Sequence, residues 1–564
     1  MNISFPLMSI FPELIYSLAF FWFIRTTKIV LFYLYLWQLK EYHIGRFLDH
    51  FQTEKGRSLI FNKLVLLKII ILIGFISLLY FSSYFPYTIY SFNILPYFIL
   101  FLYIIEFFKL FFDIFQRKIK APIFTKKSFF LISATILFEI IILFILLNFI
   151  KDLILFPLYL LTIDILLPLI ISGIVLGLQP LTVILRSQII NNAKTKREGL
   201  KNLLAIGICG SYGKTSTKEF LYKILSQKFL NVLRTQENQN SEVGISQCIL
   251  NELSLDHEIF IAEMGAYGRG GIKLLANIIK PKIGVLMGAN EQHLALFNSM
   301  ENLISAEGGK ELIENLPDEG LAIFNGDNKY CLALYQKTNK PKKIFSAHPK
   351  NSDFKPDLWA DGIIVNKDSL FFKACTEAGC KNFRVYLAGA HFISNILAAT
   401  LVARELGMTF EEIADACLKI RPPEKTMKVI EGINEIAIID DSYSANPEGV
   451  MAALDYLKIY SNKRVVVMPC LIELGSASKK IHKKIGEKIA LTSDLAIITT
   501  GERFEDIRNG ALQNGFNPEN ILFIQDPEII FETALAFCEK GGAILLEGRV
   551  PEKLINLAVR RNLR

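Results

Sequence analysis

Apolar residues are concentrated in the first third of the chain, in stretches long enough to cross a lipid bilayer. A helix needs about 20 apolar residues to span the hydrocarbon layer, and five segments meet this length. They cover residues 14–38, 63–83, 87–112, 128–150 and 153–185. Arg25 and Lys28 interrupt the first segment, and the last is long enough to be tilted or to end in an interfacial stretch after Pro180. The pattern predicts an α-helical transmembrane module of about five helices over residues 1–190.

The connecting segments predict the orientation of this module. Lys and Arg are frequent in the segments 40–62 and 117–127 and after residue 186, whereas the segments 83–86 and 151–152 are very short. Because cytoplasmic loops collect Lys and Arg, we expect a multi-pass protein of the bacterial cytoplasmic (inner) membrane with its C-terminal region in the cytoplasm. Acids at or near the spans, namely Glu106, Glu139 and Asp164, are interpreted mainly as contacts between helices, with a transport role as the alternative.

The remaining two-thirds of the chain has the pattern of an α/β protein. Short apolar strands alternate with helical segments from Lys201 to Arg421, which is typical of a mainly parallel sheet covered by helices on both faces. From Ile430 onward, five more apolar segments indicate a second, smaller Rossmann-like α/β domain. We therefore expect a central domain over residues 191–422 and a C-terminal domain over residues 423–564.

Composition and charge narrow the choice of partners. Hydrophobic residues make up 52% of the chain and the formal net charge is +8. The basic balance is explained by loops beside a membrane, and no basic face interleaved with aromatic residues appears, so nucleic acid is not expected as a partner. The nearest two of the eight cysteines, Cys375 and Cys380, have no second pair or His at zinc spacing. We expect neither a disulfide nor a zinc site, as in a reducing cytoplasm.

The segment LLAIGICGSYGKTSTKEFLYKIL predicts a phosphate-binding loop between a strand and a helix. Such a loop directs backbone N–H groups at phosphate oxygens beside a helix N-terminus. Lys214 is expected to reach the β- and γ-phosphates and Thr215 to bind Mg²⁺, while Gly210 and Gly213 allow the tight turn. An ordinary Gly-rich turn is the alternative. The nucleotide-binding candidates here are Gly210, Ser211, Gly213, Lys214, Thr215 and Ser216.

This loop and the segments that follow it in order resemble the Mur ligase family, over about Ile206 to the C-terminus. The segments are TQENQNSEVGIS, FIAEMGA, GVLMGANEQHLALF, LAGAHFISNILAATLVARELG, IIDDSYSANPEGVMAAL and MPCLIELGSASKKIHKKIG. The last two are similar to the MurF type within that family. The resemblance implies a P-loop central ligase domain and a C-terminal ligase domain, with ATP in the cleft between them.

The resemblance also implies roles for individual residues. Mg²⁺ is expected on Thr215, Glu263 and His293, and His391 is expected at most to cap its helix. The implied nucleotide contacts are Asn395, Asp441, Tyr443 and Asn446. The implied substrate-binding residues are Asn238, Asn240, Ser241 and Glu242.

The sequence departs from the family pattern at two positions. Family members carry a carbamylated lysine shortly after the HL motif, and counting without gaps places Glu307 there, with Lys310 three residues further on. Either residue could serve the metal site, so both are catalytic candidates beside Lys214 and His293. The family's GRM segment reads KTM here, so Lys425 stands where an arginine is usual.

We therefore expect an ATP- and Mg²⁺-dependent amide-bond ligase that acts through an acyl phosphate. It would add D-alanyl-D-alanine or a similar amine to a peptidoglycan precursor peptide, with membrane lipid and the cell-wall synthesis machinery as further partners. No room remains for the family's domain that grips the UDP-sugar, so a lipid-linked precursor is an alternative substrate. An amidating enzyme, a polyglutamate-type ligase and a non-catalytic membrane-bound nucleotide-binding scaffold are rival functions. The amidating type usually has a four-cysteine zinc ribbon, which is absent here.

Overall fold

The computed structural model describes most of the chain, in two compact units, Met1–Leu185 and Arg186–Arg564. The described residues are 11–40, 42–51, 54–60, 62–82, 95–116, 118–150, 152, 155–236, 239–349, 354–422, 425–432, 435–443 and 445–560. The prediction for Asn238, and the first part of the predicted third span at residues 87–94, lie outside them.

The N-terminal unit consists of helices. Their bounds are α1 (Phe11–Leu39), α2 (Ile44–His50), α3 (Glu54–Ile60), α4 (Lys63–Ser82), α5 (Leu95–Phe115), α6 (Lys126–Phe149) and α7 (Leu155–Gly177). Within the described residues, three stretches are long and apolar enough to cross a membrane, namely Glu13–Leu39, Lys127–Phe149 and Leu155–Gly177. Helices α4 and α5, of 20 and 21 residues, stand at the second and third predicted spans. The fifth predicted span is shorter than expected, because α7 ends at Gly177 and a new helix begins at Gln179.

The second unit alternates strands and helices. Helix α8 (Gln179–Gly199) begins before Leu185 and ends in the second unit. The central part of that unit then contains β1 (Leu204–Cys209), α9 (Lys214–Leu225), β2 (Val232–Arg234), α10 (Glu242–Asn251), β3 (Ile259–Glu263), α11 (Gly271–Ile279), β4 (Ile283–Leu286), α12 (Leu294–Phe297), α13 (Met300–Ser305), α14 (Lys310–Glu314), β5 (Leu321–Asn325), α15 (Lys329–Lys337), β6 (Lys342–Ser346), β7 (Leu358–Val365), β8 (Leu370–Thr376), β9 (Gly379–Val385), α16 (Phe392–Glu405) and α17 (Phe410–Cys417). Its nine strands form one sheet in the order β2-β3-β1-β4-β5-β6-β7-β8-β9.

This central sheet confirms the predicted parallel α/β architecture. Strands β1 to β7 pair in parallel, and β8 and β9 extend the sheet as antiparallel strands. Alternate residues of β1 enter two different cores: Ile206 and Ile208 pack in one, Ala205 and Cys209 in the other. A strand buried on both faces must be apolar throughout, which is why these segments read as unbroken hydrophobic runs.

The prediction that the chain has no disulfide is wrong. Strands β8 and β9 form a hairpin whose register places Cys375 directly opposite Cys380, and the two sulfurs are bonded. A hairpin brings residues on its two sides face to face, but the spacing of the cysteines alone does not show the hairpin or its register. The six other cysteines are free and buried.

The C-terminal part has the smaller Rossmann-like sheet that the sequence predicts. Its elements are β10 (Lys428–Glu431), β11 (Ala437–Asp441), α18 (Pro447–Leu457), β12 (Arg464–Met468), α19 (Ser478–Thr492), β13 (Leu495–Ile498), α20 (Phe504–Gln513), β14 (Ile521–Phe523), α21 (Pro527–Phe537), β15 (Ala543–Glu547) and α22 (Glu552–Arg560). The strand order is β10-β11-β15-β12-β13-β14, and β10 pairs antiparallel to β11 while the other pairs are parallel.

Candidate active site

The Gly-rich loop after β1 has the geometry of a phosphate cradle. Gly210 has φ +148° and Gly213 has φ +75°, and a Cβ on Gly213 would lie 2.7 Å from Oδ1 of Asn395. Only glycine adopts such angles without strain, which explains why the sequence has glycine at both positions. Lys214 begins α9, and its ammonium donates to the Gly210 carbonyl across the loop. Ser216 lies in the first turn of α9, whose N-terminus favours anions.

A first acidic centre lies beside the loop, at the carboxyl end of β3. Oε1 of Glu263 accepts hydrogen bonds from Thr215 Oγ1 at 3.1 Å and from Asn240 Nδ2 at 3.2 Å. Nζ of the buried Lys218 lies 3.3 Å from Oε2 of the same carboxylate. Glu263 and Thr215, two residues predicted to share a metal ion, are therefore in direct contact.

A second acidic centre lies on the other side of the loop and is formed by Glu307. This buried carboxylate accepts a hydrogen bond from Ser211 Oγ at 2.9 Å, and its other oxygen lies 2.8 Å from Nδ1 of His293. Burial by itself would raise the pKa of Glu307, but His293, Lys214 and Ser211 together hold that pKa below its usual range. Glu307 is thus kept as an anion inside the site.

Lys310 does not join this centre. It begins α14, its side chain is 54% exposed, and its nearest acid is Glu314 at 3.8 Å. The ungapped count from His293 and the geometry therefore agree on Glu307 as the carboxylate beside His293.

The C-terminal part of this unit supplies further polar groups to the same place. Oε2 of Glu473 lies 3.8 Å from Nε2 of His293, and the Glu473 carbonyl accepts from the N–H of Ala295 at 3.1 Å. The backbone N–H of Asn290 donates to Ser211 Oγ at 3.3 Å, and the side-chain amide of Asn290 donates to the carboxylate of Glu448. Burial raises the pKa of Glu448. The loop around His293 therefore has polar contacts with both the central and the C-terminal part of this unit.

Asn395 connects helix α16 to the loop. Its Oδ1 accepts from Thr217 Oγ1 at 3.3 Å, and its side chain is buried against Gly213. The neighbouring His391 was expected at most to cap the helix, but its side chain makes no capping hydrogen bond, and its buried Nδ1 has no hydrogen-bond partner among the described residues. Burial lowers the pKa of His391 to about 4, so it is neutral near pH 7.

The predicted substrate-binding segment leads into α10. Ser241 caps this helix by accepting from the N–H of Gly244 at 3.3 Å. Glu242, in the first turn, lies 2.9 Å from the guanidinium of Arg186 on α8. Asn240 donates to Glu263, so this segment contributes one residue to the first acidic centre.

The three predicted nucleotide contacts of the C-terminal part lie at the end of β11 and in the residues that follow it. Asn446 caps α18 by accepting from the N–H of Gly449 at 2.9 Å, and Tyr443 is 39% exposed. Asp441 is buried, and its Oδ1 accepts from the N–H of Met427 at 3.1 Å. Burial raises the pKa of Asp441 to about 6.

Glu547 is the direct strand neighbour of Asp441 and is completely buried. Burial, and then the adjacent Asp441, raise the pKa of Glu547 well above its usual range. Two carboxyl groups that share a site favour keeping at least one proton.

The donor set fits Mg²⁺ in combination with phosphate. The described residues hold no group of three or more His, Cys, Asp or Glu side chains that could bind a metal ion by themselves. Mg²⁺ is usually bound through one or two carboxylates together with waters and substrate phosphates. Thr215 with Glu263 on one side of the loop, and His293 with Glu307 on the other, meet this requirement.

Sequence reasoning about individual positions missed several residues of this site, and three of them are Asn290, Glu448 and Glu473. Each lies inside a segment that the resemblance had singled out. Nothing in the spacing shows that Asn290 and Glu448, which belong to different domains, contact each other. The available signal was only that buried polar side chains require partners.

Comparison with known proteins identifies the family of both parts of this unit. The family model "Mur ligase middle domain" matches residues 208–403, and "Mur ligase, glutamate ligase domain" matches residues 427–550. The chain is 32% identical over 328 residues to the UDP-N-acetylmuramoyl-tripeptide–D-alanyl-D-alanine ligase of Synechocystis sp., covering 58% of this chain and 67% of that protein. It is 29% identical to the Escherichia coli (strain K12) ligase of the same name, covering 53% of this chain and 64% of that one.

Solved structures show the same fold. MurF from Acinetobacter baumannii superposes with a TM-score of 0.59 at 23% identity, over 67% of this chain and 80% of that one. MurF from Thermotoga maritima in complex with ADP gives a TM-score of 0.58 at 24% identity, over 67% and 84%.

Proposed function

Because the chain belongs to the Mur ligase family, we propose that it is an ATP-dependent peptide ligase that adds D-alanyl-D-alanine, or a similar amine, to a peptidoglycan precursor peptide. The curated relatives with this activity share about two-thirds of their length with the chain, 67% and 64% in the two cases above. The observation that carries the proposal is the arrangement around the P-loop, with one acidic centre on each side and groups of the C-terminal domain facing His293.

The chemistry joins two anions, so the site must neutralise charge and fix positions. A substrate carboxylate oxygen attacks the γ-phosphorus of ATP, the bond to the β–γ bridging oxygen breaks, and ADP leaves. The amine then attacks the acyl carbon of the acyl phosphate, the carbon–oxygen bond breaks, and inorganic phosphate leaves. Mg²⁺, when bound, neutralises the phosphate oxygens during this transfer.

Each residue of the site has a proposed role in these two steps. When ATP binds, the Lys214 ammonium exchanges its hydrogen bond to the Gly210 carbonyl for one to a phosphate oxygen, because the phosphates bind at the same loop. Thr215 and Glu263 would hold the Mg²⁺ that accompanies ATP, and His293 with the anionic Glu307 would help to hold a second one. Asn395 stabilises the loop by accepting a hydrogen bond from Thr217 and packing against Gly213. The proposed roles of Asn240, Ser241 and Glu242 are contacts to the acyl substrate, and those of Asp441, Tyr443 and Asn446 are contacts to the nucleotide.

An oxygen-isotope experiment tests this mechanism. The precursor peptide is labelled with ¹⁸O in its reacting carboxylate and incubated with ATP, Mg²⁺ and D-alanyl-D-alanine. The released phosphate is expected to carry one ¹⁸O atom, because the carboxylate oxygen leaves with it. Unlabelled phosphate formed at the same rate as the amide would exclude an acyl phosphate.

We further propose that the acyl substrate is presented at a membrane, on a lipid-linked precursor. The observation that favours this is the N-terminal unit, in which three described stretches are apolar and long enough to cross a membrane. An enzyme and a substrate held in one membrane meet at high effective concentration.

The test compares a lipid-linked peptide precursor in vesicles with its soluble UDP-linked counterpart, on the full-length protein. The proposal predicts a higher kcat/KM for the lipid-linked substrate. Equal values for both substrates would show that the helices serve only as an anchor.

A further inference from the structure

The N-terminal helices bury a closed ring of four charges. Arg25 of α1 forms ion pairs with Glu106 of α5 and with Asp164 of α7. Lys68 of α4 lies 2.8 Å from Oε2 of Glu106 and 2.9 Å from Oδ2 of Asp164. Each cation therefore contacts both acids and each acid contacts both cations. The four charges cancel, which is the condition under which buried ions are tolerated.

Tyr103 lines this ring. Its aromatic centroid lies 5.9 Å from the Arg25 guanidinium carbon and 5.8 Å from the Lys68 ammonium, within the range of cation–π contacts. Both cations of the ring are thus matched by two carboxylates and one aromatic face. Arg25 and Lys68 are therefore each already paired with both acids of the ring.

Glu139 of α6 is a fifth ionisable side chain in this interior, and it is left out of the ring. The residue is 1% exposed, and neither of its carboxyl oxygens has a hydrogen-bond partner among the described residues. The groups that act on it electrostatically are the hydroxyl of Thr26 and the carboxylate of Asp164, from the two helices packed against α6. The single proton of the Thr26 hydroxyl is directed to backbone carbonyls of α1, at 2.9 and 3.1 Å.

An ionised Glu139 would therefore face a carboxylate of like charge and no cation. The next basic residue along α1, Lys28, is paired with Asp113 at 2.6 Å. Burying an unpaired charge is far more costly than burying a neutral carboxyl group. Binding a proton removes the charge without requiring space for a larger ion.

We propose that Glu139 is a proton-binding site of the N-terminal helix bundle, beside the ring of paired side chains formed by Arg25, Lys68, Glu106 and Asp164. The proposal goes beyond the ligase activity and does not depend on it. A bundle that only anchors an enzyme has no need of a buried acid. A buried acid that gains or loses a proton gives the bundle two charge states.

Infrared difference spectroscopy on the full-length protein tests the proposal, because a protonated carboxyl group and a carboxylate absorb at different frequencies. Near neutral pH, Glu139→Gln is expected to remove one protonated-carboxyl band from the spectrum. Glu106→Gln is the matched control, and it is expected to leave that band in place. Glu547→Gln separately identifies the band of the buried acid in the C-terminal domain.

The fold of each variant is checked by circular dichroism and thermal unfolding. Glu139→Gln is expected to keep the melting temperature of the wild type, because the amide is neutral and nearly isosteric. A Glu139→Gln spectrum that loses a carboxylate band, with the protonated-carboxyl region unchanged, would overturn the proposal.

Discussion

Replacing Glu307 should abolish most of the activity, whereas replacing Lys310 should hardly change it. Glu307 contacts Ser211 of the phosphate loop at 2.9 Å and His293 at 2.8 Å, from a fully buried position. Removing one preorganised electrostatic group from a site of this kind costs about 10²–10³ in kcat, or about 2.7–4 kcal/mol in the barrier. We expect Glu307→Ala to fall in this range.

Lys310 is the matched control, because it lies three residues away. Its side chain is 54% exposed and its ion pair with Glu314 spans 3.8 Å. Exposed pairs of this kind contribute about 0.3–0.5 kcal/mol, which corresponds to about a twofold effect at most. Lys310→Ala should therefore retain nearly full activity.

The assay is kcat for amide formation at saturating ATP, with and without added bicarbonate. A carbamylated lysine requires carbon dioxide, whereas a native carboxylate does not, so the wild type should not respond to bicarbonate. Glu307→Lys extends the test, since a lysine at this place should gain a bicarbonate-dependent activity. A wild-type enzyme that bicarbonate stimulates, and that Lys310→Ala inactivates, would refute the assignment.

Three further predictions concern the nucleotide loop and the C-terminal acid pair. Lys214→Ala should lower ATP turnover by about 10²–10³ with an unchanged melting temperature, which steady-state kinetics and thermal unfolding will check. Gly213→Ala would place a methyl group 2.7 Å from Asn395 Oδ1 at φ +75°; strain of about 1–3 kcal/mol should weaken ATP binding by about tenfold or more, measured by calorimetry. The raised pKa values of Asp441 and Glu547 mean that the folded state binds protons more tightly than the unfolded chain. Stability should therefore be highest below about pH 4 as far as this pair contributes, and should fall as pH rises through about 6; Glu547→Gln should flatten this dependence in melting curves.

The parts of the site that the sequence reveals are those that follow one strand. Glu263 ends β3 and His293 follows β4, and neighbouring parallel strands bring their carboxyl ends to one edge of the sheet. The Gly-rich loop is equally visible, because its positive φ angles restrict Gly210 and Gly213 to glycine. Local pattern and position in the sheet are sufficient for these residues.

The parts that the sequence does not reveal are contacts between distant segments. The Cys375–Cys380 disulfide depends on hairpin register, and the neighbours Asp441 and Glu547 become adjacent only because β15 inserts beside β11. The ring around Arg25 likewise depends on how four helices pack, which apolar periodicity does not determine. Charged residues in apolar helices show that partners are needed, but not which partners they find.

The most direct test of the proposed function is the mass of the product. Full-length protein is incubated with ATP, Mg²⁺, the tripeptide precursor in its UDP-linked and lipid-linked forms, and D-alanyl-D-alanine, with Lys214→Ala as the control. We predict a product whose mass equals precursor plus dipeptide minus one water, formed in equal amount with ADP and phosphate, and absent with Lys214→Ala. ATP hydrolysis that no precursor stimulates, with no gain in precursor mass, would contradict the assignment of this chain as a peptide ligase.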